Sequence, residues 1–369
     1  MRTRKPNSDA LYVHIPFCSH LCHYCDFTKR TYDEKTATVY VDALVKELAS
    51  YGVGKVTTIY VGGGTPTSLT LNQLETLLSS LKPHLKRGGE FTVEGNVENI
   101  TREKLVLMKA MGVNRLSIGL QTFSDERLKA MNRFHKAQAA IDTIALAKKC
   151  GFENLNVDLM YGLPNETLED VSYDLNHLIE LDVDHISCYA LSVVPGTLFY
   201  RHKIPEAGED LAREQYDLIL KTLRSQGYER YEVSNFARND HYARHNLVYW
   251  DDREYYGIGL GASGYLAGVR YVNTDNMKAY LEGQYRKETE PISPEIDEND
   301  FLMLKLRLAR GFTLPEFESR YKVAFLGKYQ TEVQELTKRG LLQVENDAVR
   351  CTDEGIMLLD YVLLKLFKR

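Results

Sequence analysis

Cys18, Cys22 and Cys25 stand in the run Tyr-Val-His-Ile-Pro-Phe-Cys-Ser-His-Leu-Cys-His-Tyr-Cys-Asp-Phe, residues 12–27, with the spacing C-x3-C-x2-C. Three thiolates this close can bind three irons of a four-iron cubane. Such clusters are normally held by four cysteines, so a set of three leaves one iron open to a substrate. The competing reading is a zinc site with His20 or His23 as fourth ligand, although structural zinc prefers paired C-x2-4-C spacings. Disulfides fit poorly, because three is odd and nothing suggests secretion. The other cysteines, Cys150, Cys188 and Cys351, are scattered and read as packed thiols.

Four further groups can do chemistry. Gly62-Gly63-Gly64-Thr65-Pro66-Thr67 offers free backbone amides and carbonyls where no side chain obstructs a ligand. It is not a P-loop, since no Gly-Lys-Ser/Thr follows. Glu94 and Asp158 sit inside apolar runs, and a buried carboxylate needs a partner. That partner is a ligand amine or ribose, or a structural cation such as Arg115 beside Asp158. Gln121 and Arg133 follow the same logic: Arg133 can hold a carboxylate bidentately or cap a helix. Gly259-Leu-Gly261-Ala-Ser-Gly264 matches G-x-G-x-x-G, but residues 265–272 read as strand, so the dinucleotide context is missing. A glycine-rich wall beside a flat ligand fits better. His245-Asn246-Leu247-Val248-Tyr249-Trp250 contains the only Trp of the chain. Its His can ligate haem iron while the rings pack on the macrocycle; a lone His is more often a hydrogen-bonded structural residue.

Alternating elements must position these groups. Residues 11–15, 57–61, 90–94, 115–119, 155–159 and 185–189 read as short apolar strands. Amphipathic stretches at 39–51, 71–85, 102–111, 137–150 and 168–181 separate them. This is a repeated βα unit, an α/β fold with a parallel sheet. A partial (β/α)6 barrel is expected, with a flat doubly wound sheet as runner-up. The barrel is favoured because the cysteine loop, the glycine turn, Glu94, Gln121 and Asp158 all fall at or after strand C-terminal ends, where barrel chemistry gathers. A clear helix follows at 209–226. Residues 288–300, acidic and proline-containing, read as a linker. Beyond it, helices at 301–310, 314–321 and 333–340, strands at 341–344 and 348–351, and a last helix at 353–367 resemble a small winged-helix-like domain. The expected domains are 1–236, 237–287 with the His245 motif, and 288–369.

The chain has 369 residues, 44% hydrophobic and 26% charged, with net charge −5. That balance does not favour nucleic acid. The basic start lacks an apolar h-region and is not expected to be a signal peptide. No run approaches a membrane-spanning length. A reducing cytoplasm is expected.

These residues together resemble the HemN/HemW family of radical S-adenosylmethionine (SAM) proteins, over nearly the whole chain. The resemblance rests on the cysteine run, 62–67, Ser117-Ile-Gly-Leu-Gln121, Val157-Asp-Leu-Met-Tyr-Gly-Leu-Pro164, Tyr231-Glu-Val-Ser-Asn-Phe236 and 245–250. Two branches differ. The HemN branch, oxygen-independent coproporphyrinogen III dehydrogenases, carries a fourth cysteine where this chain has Phe27, and a longer N-terminus. Cys-Asp-Phe and His-Asn-x-x-Tyr-Trp match the HemW branch of haem chaperones. That branch implies a [4Fe-4S] cluster, SAM and haem, an electron donor for the cluster, and delivery of haem to respiratory haem proteins, with peripheral association at the inner face of the membrane. Coproporphyrinogen dehydrogenase activity is not expected. By matching motif, the implied cluster ligands are Cys18, Cys22 and Cys25. The implied SAM contacts are Tyr12, Tyr24, Gly63, Gly64, Thr65, Glu94, Gln121, Arg133, Asp158 and Ala190. His245 is the implied haem ligand. The family usually has Glu-x-Asn-Pro at the third strand, whereas Asn96 here precedes Val97.

Overall fold

The structure is a computed structural model and describes residues 8–367. The basic first seven residues, and with them most of the segment weighed as a signal peptide, lie outside the described residues. Six parallel strands form the frame: Ala10–Ile15, Val56–Gly63, Leu85–Asn96, Arg115–Gln121, Asn154–Tyr161 and His185–Ala190. Helices Glu34–Tyr51, Leu71–Leu81, Arg102–Ala110, Ala137–Lys149, Leu168–Glu180 and Glu209–Ser225 follow them in turn. Side-chain caps start several of these helices. Asp33 accepts from the Thr36 amide, and Thr70 and Thr167 form reciprocal capping boxes with Gln73 and Asp170.

The six strands lie side by side in chain order. A doubly wound sheet would reverse direction at a switch point. None occurs here, so the sheet curves one way as a partial barrel. The period of two along each strand separates two environments. Val13, Val61, Val93, Ile118, Val157 and Ile186 face the helices and are buried. The alternate residues, among them His14, Tyr60, Glu94, Ser117, Asp158 and Ser187, face the barrel interior.

The sheet is wider than six strands. Tyr256–Ile258 adds a parallel strand outside the first, with Leu11 opposite Tyr256 and Val13 opposite Ile258. Asn235–Ala237 and Glu229–Arg230 extend the sixth strand antiparallel. The result is an open nine-stranded sheet.

The expected linker at 288–300 is not one. Arg286–Pro291 is a fully exposed edge strand paired with Val269–Asn273, and Ser293 caps a helix over Pro294–Lys305. Charged residues on a sheet edge discourage further pairing, which is why the segment imitated a linker. The expected boundary at 288 therefore cuts a strand. The C-terminal unit has its own core around Phe301, Phe312, Phe317, Phe325 and Tyr329. Its wing has three strands, since Phe312–Thr313 joins Ala348–Cys351 and Leu342–Glu345. The last helix breaks into Asp353–Met357 and Leu359–Leu366. Arg224 and Arg230 grip Asp353 at 2.7 and 2.8 Å and fasten this unit to the barrel. No helix among the described residues is long and apolar enough to cross a membrane.

Candidate functional site

The cysteine loop leaves the first strand and is pinned on several sides. Arg30 N–H donates to Pro16 O at 2.7 Å, and His23 N–H to Met131 O at 3.1 Å. Asn132 Nδ2 reaches Leu21 O at 2.8 Å, and Asn99 Nδ2 reaches Ser19 Oγ at 2.8 Å. This fixes Cys18, Cys22 and Cys25 on one wall of a cavity of about 340 Å3. None of the three is in a disulfide. Thr65 Oγ1 donates to Cys18 Sγ at 3.5 Å, and Arg133 Nη1 to Cys22 Sγ at 3.8 Å. Burial pushes the Cys18 thiol up to about 11 and raises Cys25 as well, so these sulfurs need a cation to become thiolates.

The zinc reading loses its fourth ligand. His20 stacks on Phe134 with centroids 3.6 Å apart, and His23 Nδ1 is 3.1 Å from Ala130 O. Among the described residues no three His, Cys, Asp or Glu side chains gather on a single ion. Three thiols spread along one wall, with donors aimed at two sulfurs, fit a polynuclear iron–sulfur cluster with an open iron instead.

The same cavity is lined by nine of the ten expected SAM contacts: Tyr24, Gly63, Gly64, Thr65, Glu94, Gln121, Arg133, Asp158 and Ala190. Tyr12 lines an adjoining cavity that shares Gly63, Glu94 and Phe27 with the first. Phe27, at the position of the missing fourth cysteine, is 61% exposed. The glycine turn needs its glycines for space: a Cβ on Gly63 (φ +108°) would lie 2.4 Å from the His14 ring, and one on Gly64 would lie 3.0 Å from Cys18 Sγ. The expectation of free amides there is overturned. Gly63 N–H donates to Glu94 Oε2 at 3.0 Å, Gly64 N–H to Ile15 O at 2.8 Å and Thr65 N–H to Phe17 O at 2.7 Å. The turn offers a ligand carbonyl oxygens rather than donors.

Glu94 also accepts from Tyr60 Oη at 2.5 Å. Burial pushes its carboxyl up to about 7, with the nearby Asp158 charge adding to the rise. Asp158 is raised by burial too. Its partner is not Arg115: Asn156 Nδ2 reaches Asp158 Oδ1 at 2.7 Å. Arg133 is presented by Asn96 Oδ1 and Gly119 O, both at 2.7 Å, and does not cap a helix. A 3-10 turn over Val97–Asn99 follows Asn96, and Asn96 Nδ2 also holds Thr65 Oγ1 at 3.0 Å.

The sequence reading missed Asn96, Ser117, Asn156, Ser187 and Arg115, all of which line the cavity. A signal was available, because they occupy the same alternate positions as Glu94, Gln121 and Asp158. Asn156 is the hub. His185 Nδ1 lies 2.6 Å from its Oδ1, and Tyr231 Oη lies 2.7 Å from His185 Nε2.

Gly261 lines the adjoining cavity, and Gly259 and Gly261 also serve close packing. Their missing side chains let the chain close on itself, since a Cβ on Gly259 would lie 2.5 Å from His14 O and one on Gly261 2.6 Å from Thr28 Oγ1. His245 presents no free ring nitrogen in this structure. It is fully buried in helix Arg244–Trp250, with Nδ1 2.9 Å from Thr58 Oγ1 and Nε2 2.8 Å from Tyr249 Oη. Burial, with Arg115 nearby, lowers its pKa to about 3, so the ring is neutral and both nitrogens are engaged. Its ring stacks on Tyr60 at 5.2 Å, behind the hydroxyl that holds Glu94. Trp250 turns to the C-terminal unit, where Arg307 lies 6.0 Å from its ring.

Comparison with known proteins matches this geometry. Residues 12–178 fit the model of the Radical SAM superfamily, and residues 293–358 that of the HemN C-terminal domain. The chain is 38% identical to Heme chaperone HemW of Lactococcus lactis subsp. lactis (strain IL1403), over 98% of this chain and 97% of that one. It is 36% identical to Heme chaperone HemW of Bacillus subtilis (strain 168), over 94% and 96%. Against Heme chaperone HemW of Escherichia coli (strain K12) it is 32% identical over 97% of each. The solved structure of coproporphyrinogen III oxidase (HemN) from Escherichia coli has the same fold, with a TM-score of 0.87 at 23% identity, covering 100% of this chain and 92% of that one. A three-cysteine loop, a cavity built from the alternate residues of a partial barrel, and full-length similarity at this level place the chain in the HemW family of the radical SAM superfamily.

Proposed function

We propose that the chain is a haem chaperone that carries a [4Fe-4S] cluster and SAM and delivers haem to respiratory haem proteins. The observation that carries this reading is an intact three-thiol loop opening on a SAM-sized cavity, with Phe27 rather than a fourth cysteine at its end, in a chain 38% identical to a heme chaperone. Cys18, Cys22 and Cys25 would hold the cluster, whose chemistry when bound is to supply one electron to SAM.

The chain's own residues do the positioning. Arg133 is held by Asn96 and the Gly119 carbonyl, so its remaining donors can take the SAM carboxylate. Glu94 and Asp158 accept from the amino group or ribose hydroxyls. Tyr24, Gln121, Ala190 and the Gly63–Thr65 turn shape the pocket, and Tyr12 approaches from the adjoining cavity. The Asn156–His185–Tyr231 chain keeps Asp158 oriented, while His245 backs Tyr60 and through it Glu94. The net charge of −5 argues against nucleic acid as partner. The protein acts in the cytoplasm, takes an electron from a donor protein, and visits the inner face of the membrane to meet its acceptors.

Anaerobic reconstitution tests this reading. The loaded protein should bind haem and pass it to an apo-acceptor, and should leave coproporphyrinogen III unchanged. Multiple-turnover decarboxylation of coproporphyrinogen III would replace this reading with the dehydrogenase one.

A further inference from the structure

Arg115 opens the fourth strand, in register with Thr92 and Asn154. Its side chain enters the barrel on the face shared by Ser117 and Gln121, and it lines the main cavity while only 2% exposed. Its Nε has no hydrogen-bond partner, and its side chain makes no hydrogen bond or ion pair with any described residue. The charge is nonetheless felt: it opposes the upward shifts of Glu94 and Asp158. Yet neither carboxylate pairs with it. A guanidinium carries five donors and does not deprotonate, and leaving it buried without an acceptor is costly.

The charges of the cavity indicate what is missing. SAM has a single carboxylate, and Arg133 is already presented for it. Lys29 is held by the Cys25 carbonyl. Glu94 and Asp158 answer the ligand's cations. With SAM seated, Arg115 is the cation left without a counter-charge.

We propose that Arg115 is the anchor for a carboxylate arm of the cargo, a haem propionate that descends into the barrel while the macrocycle stays at the mouth. The proposal rests on the chaperone reading. The mouth has matching chemistry, since Phe27 and Tyr189, 61% and 40% exposed, line the same cavity and offer aromatic faces to a macrocycle. Ser117 lines the same cavity; its Oγ accepts from Asn156 Nδ2 at 2.8 Å and keeps its own hydrogen to donate to a carboxylate.

The test compares haem with its dimethyl ester, in which both propionates are methylated. Each is titrated anaerobically into cluster-loaded, SAM-bound wild type and Arg115→Met. Wild type should prefer the free acid by roughly 10- to 100-fold, the usual scale for a charged hydrogen bond. Arg115→Met should bind both at the ester's affinity. The ligand-free variant should also melt at a higher temperature than wild type, because an uncompensated buried charge has been replaced by an apolar side chain of similar length. A lower melting temperature would mean that Arg115 is a structural cation, and the proposal would fall. It would fall equally if the variant kept the acid preference, or if it lost SAM affinity while that preference stayed intact. Haem binding by wild type with no preference for the acid removes the Arg115 anchor and leaves the chaperone reading standing. No haem binding by wild type removes both.

Discussion

The floor of the barrel and the wall above it use the same kinds of residue in opposite ways. On the floor, His185 lies between Asn156 and Tyr231, and His245 between Thr58 and Tyr249; every ring nitrogen has a partner within the chain. On the wall, three thiols stand unlinked, and Arg133 lacks any carboxylate. Burial costs both regions alike. The floor offsets that cost with internal hydrogen bonds and becomes scaffold. The wall leaves it outstanding and becomes a site. Whether a buried polar group is structural or functional is decided here by who supplies its partner, not by its chemical type.

Breaking the wall at the cysteines should give the largest effect. Cys18→Ala, Cys22→Ala or Cys25→Ala should each abolish the four-iron absorption and the electron paramagnetic resonance signal after reconstitution, while far-ultraviolet circular dichroism stays native. Breaking the floor should cost stability instead. His245→Ala strands Thr58 and Tyr249 and opens a cavity behind Tyr60, for a loss of roughly 2–4 kcal/mol in urea unfolding. Haem affinity of the folded fraction should stay unchanged; its disappearance would return His245 to the role of ligand. Arg133→Met should weaken SAM binding roughly 10- to 100-fold by calorimetry, with little change in the unfolding midpoint.

The smallest effect sharpens the boundary between the regions. Burial raises the folded-state pKa of Glu94 to about 7, against about 4.5 for the unfolded chain. Between these values the folded state binds more protons, so stability from this group is full below about 4.5 and is lost as pH rises through about 7. Glu94→Gln should flatten that part of the ligand-free stability profile. An unchanged profile would show that Glu94 is already ionised and solvated in the cavity.

Much of this was legible in the residues. Six apolar runs located six strands, because a strand buried on its helix side must be apolar at alternate positions. The three cysteines picked out by spacing share one cavity with nine of the ten implied SAM contacts. What escaped was non-local. Tyr256–Ile258 is three residues long and finds its partner strand near the N-terminus; no local pattern announces such a pairing. Helix Arg244–Trp250 has no side-chain cap of its own at its N-terminus, because Glu90 from the third strand accepts from the Arg244 and His245 amides at 3.0 Å each. The sequence around His245 showed a ligand type but not that both nitrogens were engaged. Arg115 was considered only as a partner for Asp158, since a missing contact leaves no trace in composition.

The strand Tyr256–Ile258 also sets an order of events during synthesis. The first strand lies between Val56–Gly63 and Tyr256–Ile258. Just beyond, Gly261 seats against Thr28 at the end of the cysteine loop, and Gly259 N–H binds Glu47 at 2.8 Å. While the ribosome has yet to pass residue 261, the loop is exposed on an unfinished sheet edge. Iron loading therefore belongs after translation of the barrel, and a nascent chain stalled before that point offers its three thiols to oxidants with no seat for a cluster.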